Sequence, residues 1–373
     1  MSLFTGATGP DPSRETPPRP GDRRSQAGWG FLTVAFAIVL ILGLSPAPYV
    51  IEKPGPVFNT LGSSSHDGKR TALISIPDKT TYPTAGTLDL LTVSALGNPS
   101  SLPSWVEVLA AWFQPQQAVI PVDVAYPPSQ SVEQQQKVDA AEMTNSQQDA
   151  IAAALNHLHY DFPQSVEVKQ VAKGVPATGK LQTGDRIVSV DTVPVNGIQS
   201  LRDAIAKHGT ATPADIGVVR DGTALTLQIT PVSDGGAVVL GIGVGMDYSF
   251  PFTVKIQLDD VGGPSAGMMF ALGIMDKLTP GELNGGRNVA GTGTIDSEGN
   301  VGAIGGIRQK MWAAHDANAR YFLAPAQNCG EVTGHIPQGL RVFAVKKLDD
   351  SLKILSAIRS GSSLSTLPRC PTD

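Results

Sequence analysis

The chain begins with an abrupt change from polar to apolar residues. Residues 1–28 are polar and rich in proline, so we predict a disordered tail that cannot bury enough apolar surface to order itself. Between Trp29 and Val50 there is no charged side chain. As a helix this run is about 33 Å long, enough for a hydrocarbon core of about 30 Å. The pattern predicts one transmembrane helix over residues 29–49.

The arginines of the tail lie directly before this apolar run. Positive charge marks the cytoplasmic side, so the N-terminus is expected in the cytoplasm and the rest of the chain outside it. A cleaved signal peptide is the alternative, but prolines crowd the only small-residue site, Ser45–Pro48. We therefore expect a retained, single-pass anchor in the cell membrane.

Short apolar runs separated by glycine, proline and serine follow, and they predict strands within residues 50–130. Two stretches instead have helical character. Ser104–Phe113 is short and apolar, and Ser131–Leu158 has intermittent apolar positions without proline or glycine. The alternation of Phe252–Leu258 predicts a further strand.

Residues 162–232 form a compact unit of predicted strands with one helix. Ser200 is the expected cap of that helix, and Asp221-Gly222 is a hairpin turn between two strands. Gly241–Gly245 is better explained as a glycine-rich strand than as a dinucleotide fingerprint.

This unit resembles a PDZ domain of the kind found in bacterial proteases, and we assign it residues 161–235. The resemblance rests on K-L-Q-T-G-D-R-I-V-S-V-D at 180–191 and V-R-D-G-T at 219–223. PDZ domains bind an extended peptide as an added strand. Leu201 and Ile205 would line such a groove or simply pack in the core; the family's glycine-rich carboxylate-binding loop is not recognisable.

Candidate chemistry begins with Ser265, which follows two glycines and a proline and precedes the wholly apolar run 266–275. That run predicts a buried helix. A helix N-terminus offers unpaired N–H groups that stabilise an oxyanion, so Ser265 is a candidate nucleophile. The alternative is a serine that only caps the helix.

A second segment supplies a candidate base. After the Gly305-Gly306 turn, Lys310 falls on the apolar stripe of a predicted helix that includes Ile307 and Met311. Burial lowers a lysine's pKa, and a neutral amine can activate a serine hydroxyl. The alternative is a snorkelling side chain that carries its amine to water.

These motifs resemble the proteolytic domain of Lon-type serine peptidases. The matching stretches are G-G-P-S-A-G at 262–267, V-A-G-T-G-T-I at 289–295 and G-N-V-G-A-I-G-G-I-R-Q-K at 299–310. The resemblance implies that Ser265 is the nucleophile, that Lys310 is the general base and that Thr292 helps to place the lysine. Backbone N–H groups around Gly263, Pro264 and Ser265 would hold the oxyanion.

The chain departs from the family at two positions. Bacterial Lon proteins usually carry an aspartate three residues before the serine, where this chain has Gly262; Asp259 and Asp260 are the candidate substitutes. The usual glutamate after T-G is Thr294. No ATPase module is apparent.

The whole arrangement is most similar to the membrane-anchored, PDZ-containing Lon-like proteases of bacteria. V-I-E-K-P-G-P-V-F-N-T-L-G at 50–62 and A-E-M-T-N-S-Q-Q-D-A-I-A-A-A-L at 141–155 also resemble that group. We expect an α+β fold in which residues 50–160 and 240–360 build one Lon-like domain with the PDZ domain inserted, followed by a tail at 361–373. The resemblance further implies a homo-oligomer, with a hexameric ring as the model.

Charge, motif chemistry and cysteine content bear on which ligands and cross-links the protein could have. The net charge of −5 argues against a nucleic-acid binder. G-x-x-x-x-G-K at 174–180 lacks the Ser or Thr that holds magnesium, so we expect no nucleotide site, and no metal or other cofactor. Cys329 and Cys370 are expected to form a disulfide on the oxidising side of a membrane, with two free thiols as the alternative.

The leading interpretation is an ATP-independent, membrane-tethered serine endopeptidase that hydrolyses extracytoplasmic proteins. Its PDZ domain would bind substrate or gate access to the cleft. The competing interpretation is a PDZ scaffold or chaperone-like binding protein whose Lon-like domain has lost activity, a reading favoured by Gly262 in place of aspartate.

Overall fold

The computed structural model describes residues 21–66, 69–127, 131–258 and 261–371, and it has a mixed α/β architecture. The helices, in chain order, are α1 (Gly21–Leu44), α2 (Trp105–Trp112), α3 (Val122–Ala125), α4 (Val132–His157), α5 (Ile198–His208), α6 (Gly267–Leu278), α7 (Ile307–Asp316), α8 (Cys329–Val332) and α9 (Leu348–Ser360).

The strands are, likewise in order, β1 (Tyr49–Asn59), β2 (Ser63–His66), β3 (Lys69–Ala72), β4 (Ile74–Ser75), β5 (Thr87–Leu96), β6 (Ala118–Pro121), β7 (Gln164–Val171), β8 (Arg186–Val190), β9 (Val193–Pro194), β10 (Ala214–Arg220), β11 (Thr223–Ile229), β12 (Val232–Asp234), β13 (Ala237–Val239), β14 (Ile242–Tyr248), β15 (Lys255–Ile256), β16 (Asn288–Gly291), β17 (Thr294–Ile295), β18 (Val301–Gly302), β19 (Tyr321–Pro325) and β20 (Arg341–Val345).

The first sheet combines strands from both ends of the chain in the order β20-β19-β16-β5-β1-β6. Its central contact is the parallel pairing of β5 with β16, in which Leu88 lies opposite Val289. On the other side β5 pairs antiparallel with β1. Helices α4, α6 and α9 contribute to the largest hydrophobic core, so segments distant in sequence surround α6.

The second sheet has the order β11-β10-β8-β7-β14 and a separate hydrophobic core. The predicted Asp221-Gly222 hairpin turn is confirmed, since both residues have positive φ between β10 and β11. Gly241–Gly245 largely forms β14, which pairs with β7 beyond the predicted end of this unit at residue 235. Leu201 and Ile205 are buried in this core rather than open to a groove.

The predicted cap of α5 is wrong in detail. Gly197, not Ser200, is the N-cap residue, and the helix begins at Ile198. The Ser200 hydroxyl nevertheless accepts the Gly197 N–H at 2.9 Å. A serine in the first turn therefore satisfies the same orphan donor from inside the helix.

The first helix differs from the predicted span. It starts at Gly21, inside the predicted disordered tail, of which residues 1–20 lie outside the described part of the chain. It ends at Leu44, before prolines 46 and 48 that cannot continue a helix. Within the described ranges, no helix combines the length and apolar character that crossing a bilayer requires. The structure therefore does not support a transmembrane helix over 29–49.

Two further predictions have different outcomes. The strand predicted over Phe252–Leu258 is wrong for most of its length, because only Lys255–Ile256 pairs, with the two-residue strand β4. The buried helix after Ser265 is confirmed: every residue of α6 from Gly267 to Asp276 is buried.

The C-terminal segment is held to the first sheet. Cys329 and Cys370 form a disulfide with a Cα–Cα distance of 5.0 Å, which confirms the predicted bridge. Arg369 makes an isolated antiparallel bridge with Phe343 of β20. The last described residues are thus pinned beside the sheet.

Candidate active site

Ser265 lies on the short connection that enters α6. The N-cap residue of α6 is Ala266, and no side chain caps this helix, so the interpretation of Ser265 as a cap is wrong. Its backbone carbonyl is held twice: by the Gly293 N–H at 2.9 Å and by the Thr292 hydroxyl at 3.0 Å. The nucleophile candidate is therefore fixed through its main chain while its hydroxyl stays available.

Lys310 reaches Ser265 from α7. The helix starts after Gly306, whose φ of 65° suits glycine and where a Cβ would come within 2.6 Å of Val93 Cγ2. Lys310 is only 4% exposed, which excludes the snorkelling alternative. Its Nζ donates to Ser265 Oγ at 2.9 Å. The predicted pair thus lies within hydrogen-bonding distance.

Thr292 occupies the third position of this arrangement. It is fully buried, and the Lys310 amine lies 3.4 Å from its hydroxyl oxygen. One threonine side chain therefore contacts both the lysine and the main chain of the serine. This geometry limits the freedom of the amine relative to Ser265.

The environment of Lys310 makes its ammonium group a stronger acid than that of a free lysine. Burial lowers the pKa of the amine to about 8, and the negative charge of Glu52 partly opposes that shift. Desolvation penalises the charged ammonium because little water remains to solvate it. At neutral pH a useful fraction of the amine is therefore able to accept a proton.

The glycines before Ser265 pack against α4. A Cβ at Gly262 would lie 2.7 Å from Asp139 Cβ, so the space that a side chain would need there is already taken. Asp139 is thus the carboxylate beside the position where the family's aspartate is missing. Asp259 and Asp260, the predicted substitutes, lie outside the described residues.

The expected oxyanion donors are only partly free. The Gly263 N–H donates to the Asp139 carbonyl at 3.0 Å, and Pro264 has no N–H. The Ser265 N–H makes no hydrogen bond with any residue of the described chain. Among the predicted oxyanion residues Gly263, Pro264 and Ser265, the available backbone donor is therefore the Ser265 N–H.

Sequence reasoning missed Ser146. It is 3% exposed on α4, and its hydroxyl donates to the Pro264 carbonyl at 2.9 Å. The signal was a polar residue on the buried stripe of α4 that contains Met143 and Ala150. Its partner, 118 positions away, could not be read from that stripe.

A cleft of about 830 Å³ opens beside Ser265 and Lys310. Its lining includes Leu91–Ser94 of β5 and the 261–266 segment. Strand β16 pairs with β5 only as far as Leu90. Among the described strands, none pairs with that edge of β5 beyond Leu90, so its backbone there faces the cleft.

In the parts of the chain that the structure describes, no group of three or more His, Cys, Asp or Glu residues could hold a metal ion.

Two family models match the chain. Residues 260–357 match the Lon protease (S16) C-terminal proteolytic domain, and residues 135–230 match the PDZ domain. The first range contains Ser265, Thr292 and Lys310. A Lon-type proteolytic domain implies serine peptidase activity.

Curated relatives agree with this class. The chain is 36% identical over 120 residues to a Lon protease of Buchnera aphidicola subsp. Schizaphis graminum, covering 30% of this chain and 15% of that protein. It is 31% identical over 116 residues to Lon protease 1 of Thermus thermophilus, covering 30% and 14%. The match thus spans about 15% of the length of these relatives.

Among solved structures, the PDZ domain of an SdrC-like protein from Listeria innocua is 24% identical, with a TM-score of 0.21. The matched region covers 21% of this chain and 92% of that domain. A PDZ domain of an SdrC-like protein from Listeria monocytogenes is 23% identical, with a TM-score of 0.20, covering 21% and 86%.

Proposed function

We propose that the chain is a serine endopeptidase in which Ser265 attacks the peptide carbonyl and Lys310 is the general base. One observation carries this proposal: a lysine amine that is 4% exposed lies 2.9 Å from the serine hydroxyl oxygen. A buried amine with a lowered pKa beside a hydroxyl is the arrangement that activates a nucleophile without histidine.

In the first half-reaction, Ser265 Oγ forms a bond to the carbonyl carbon while its proton passes to the neutral Lys310 amine. The Ser265 N–H is placed to donate to the resulting oxyanion. Collapse of the tetrahedral intermediate breaks the C–N bond, and the Lys310 ammonium returns the proton to the leaving amine. An acyl ester on Ser265 remains.

In the second half-reaction, a water molecule attacks that ester and gives a proton to Lys310. Collapse breaks the bond to Ser265 Oγ, which takes the proton back from the ammonium. The products are a carboxylic acid and the free enzyme. Thr292 acts as a positioning residue, since it contacts both Lys310 and the Ser265 carbonyl.

The free edge of β5 supports a substrate bound as an extended strand. A peptide beside Leu91–Ser94 would pair with exposed backbone groups and pass Ser265 within the same cleft. In the second sheet, β14 is one of the two terminal strands and lies near α5. We infer that the free edge of β14 binds a flexible polypeptide segment. We further propose that cleavage proceeds without ATP.

Attachment to a cell membrane, with the cleft outside the cytoplasm, is a further part of the proposal. Its support is the apolar surface of α1, where Phe31 is 78% and Ile41 is 68% exposed. Membrane fractionation of the full chain and of a variant starting at residue 48 tests it. A homo-oligomeric ring, which mass photometry would detect, is proposed from the Lon resemblance alone.

The activity is tested with purified full-length chain and a quenched-fluorescence peptide or casein. Ser265→Ala and Lys310→Ala should each lower the cleavage rate by at least about a thousandfold. Lys353→Ala, at an exposed lysine on α9, is the matched control and should cleave at the wild-type rate. Equal cleavage by all four proteins would refute the assignment.

The same experiment separates the binding-protein alternative. A wild-type chain that binds peptides but cleaves none, under conditions where Lys310 is neutral, would be a binding protein rather than a peptidase. Asp139, whose Cβ and backbone pack beside Gly262, is an acidic residue of the same cleft, so the loss of the family's aspartate does not leave the cleft without an acidic side chain near Ser265.

A further inference from the structure

Glu52 is a charged residue of the cleft that the proposed mechanism does not use. It lies on β1, next to β5, and its side chain lines the same cleft as Ser265 and Lys310. It is half-buried. A residue at this place is close to any polypeptide whose scissile bond reaches Ser265.

The Glu52 carboxylate has no direct partner. It forms no hydrogen bond or ion pair with any residue that the structure describes, and it interacts with Lys310 only through the longer-range attraction of their charges. Burial raises the pKa of Glu52, while the Lys310 charge lowers it. A partly desolvated carboxylate without a donor is costly and is stabilised by the arrival of a cation.

The other charged residues of the cleft do not provide a cation for the Glu52 carboxylate. Among the residues that the structure describes, the ionisable side chains of the cleft lining are Glu52, Asp139 and Lys310. Asp139 already accepts a hydrogen bond from Gln135 at 2.8 Å. When Lys310 is in the neutral form that the reaction requires, none of the described lining residues presents a positive charge to Glu52.

We propose that Glu52 forms a subsite for a basic side chain, arginine or lysine, of the polypeptide substrate near the scissile bond. An extended peptide alternates its side chains between two faces, so one of them can turn toward β1 while its backbone follows β5. A guanidinium would bind the carboxylate in a bidentate manner. This inference rests on the proposed peptidase function and specifies its substrate class.

The test uses a set of peptides that are identical except for one residue. Arginine is compared with citrulline, its uncharged analogue, at each position around the cleaved bond. Hydrolysis is measured with the wild-type chain, and binding is measured by fluorescence anisotropy with Ser265→Ala. At one position, arginine should raise kcat/KM and affinity by about tenfold, the scale of one charge-assisted hydrogen bond.

Two matched variants show whether Glu52 is the cause of the preference for arginine. Glu52→Gln keeps the size of the side chain and should reduce the preference for arginine over citrulline to less than about twofold. Asp139→Asn removes the same charge from the same cleft at a carboxylate that already has a partner, and it should keep the preference. Because Glu52 also raises the pKa of Lys310, rates are compared on the alkaline plateau.

The possible results are distinct. No arginine preference at any position, or a preference that survives Glu52→Gln, would overturn the subsite. An equal loss in Asp139→Asn would also overturn it, since general cleft charge would then be the cause. If Ser265→Ala binds arginine peptides selectively through Glu52 while the wild-type chain hydrolyses none, the subsite stands and the peptidase proposal fails.

Discussion

The Ser146 hydroxyl donates a 2.9 Å hydrogen bond to the carbonyl oxygen of Pro264, the residue directly before Ser265. This bond joins the centre of α4 to the entrance of α6. On the same helix, the Asp139 carbonyl accepts the Gly263 N–H. One side of α4 thus fixes the segment that presents the candidate nucleophile.

Replacing Ser146 with alanine should therefore lower the rate of catalysis, although Ser146 does not line the cleft. In this variant the Pro264 carbonyl keeps only the long, 3.5 Å hydrogen bond from the Gly267 N–H. Because a buried acceptor then lacks a good donor, the unfolding free energy should fall by about 1–3 kcal/mol. We expect kcat to fall by about tenfold with little change in KM, since Ser146 does not line the cleft. Steady-state kinetics and urea unfolding measure both.

Thr144→Ala is the control for that experiment. Thr144 is exposed on the same helix, and its hydroxyl bonds only to the backbone of Ala140. Its removal should change neither kcat nor stability by much. A Ser146→Ala variant with the kinetics of Thr144→Ala would show that the bond to Pro264 does not position Ser265.

Peptide hydrolysis should increase with pH as Lys310 loses its proton. The pKa of Lys310 is lowered to about 8, so kcat/KM should rise through about pH 8 and level off above it. Glu52→Gln should move this limb to lower pH, because the Glu52 charge raises the lysine pKa. A rate that is flat between pH 6 and 10 would contradict the role of Lys310.

The stability of the junction between α4 and β14 should depend on Asp149. Tyr248 donates a 2.6 Å hydrogen bond to Asp149, and burial raises the pKa of this carboxyl to about 6, with the charge of Asp296 adding to the shift. Between about pH 4 and 6 the folded chain then binds more protons than the unfolded chain. This group's contribution to stability therefore falls as pH rises through 6.

Asp149→Asn should remove that pH dependence, because an amide does not ionise and its oxygen still accepts the Tyr248 hydroxyl. Relative to wild type, the variant should gain about 1–3 kcal/mol of unfolding free energy between pH 4 and 7. Thermal unfolding across this range measures the difference. Parallel pH curves for the two proteins would show that Asp149 titrates as it does when unfolded.

Reduction of the Cys329–Cys370 disulfide should lower the unfolding free energy by roughly 3–4 kcal/mol, because the bridge closes a loop with a sequence separation of 41. Urea unfolding with and without reductant measures this loss. The double variant Cys329→Ser, Cys370→Ser should be insensitive to reductant and match the reduced wild type.

The proposed site was readable from the sequence because its parts have local signals. Ser265 precedes an apolar run, and Lys310 lies on an inward stripe, so burial of the amine followed from helical spacing. Asp139 and Glu52 have no such signal, and the position of Ser146 on the buried stripe of α4 does not reveal its partner, Pro264. Tertiary packing brings all three residues close to the Ser265 segment from parts of the chain that are distant in sequence.

The predicted boundaries of strands and helices were wrong where the hydrophobic pattern indicates which residues are apolar but not which backbone groups are hydrogen-bonded. Phe252–Leu258 alternates, but a strand is only as long as its partner, and β4 offers two residues. Likewise, α1 begins eight residues before the apolar run, at Gly21, because charged and polar residues are compatible with a helix. Hydropathy marked the apolar portion and not the helix start.

The parallel pairing of β5 with β16 sets the order in which the nascent polypeptide can fold. About 200 residues separate the two strands, and at roughly 5–20 residues per second the ribosome needs about 10–40 s to make them. The second sheet, whose strands all lie within residues 164–248, can assemble during that interval. The segment that carries Ser265 is therefore synthesised after the second sheet, and the proposed active site is among the last parts of the protein to form.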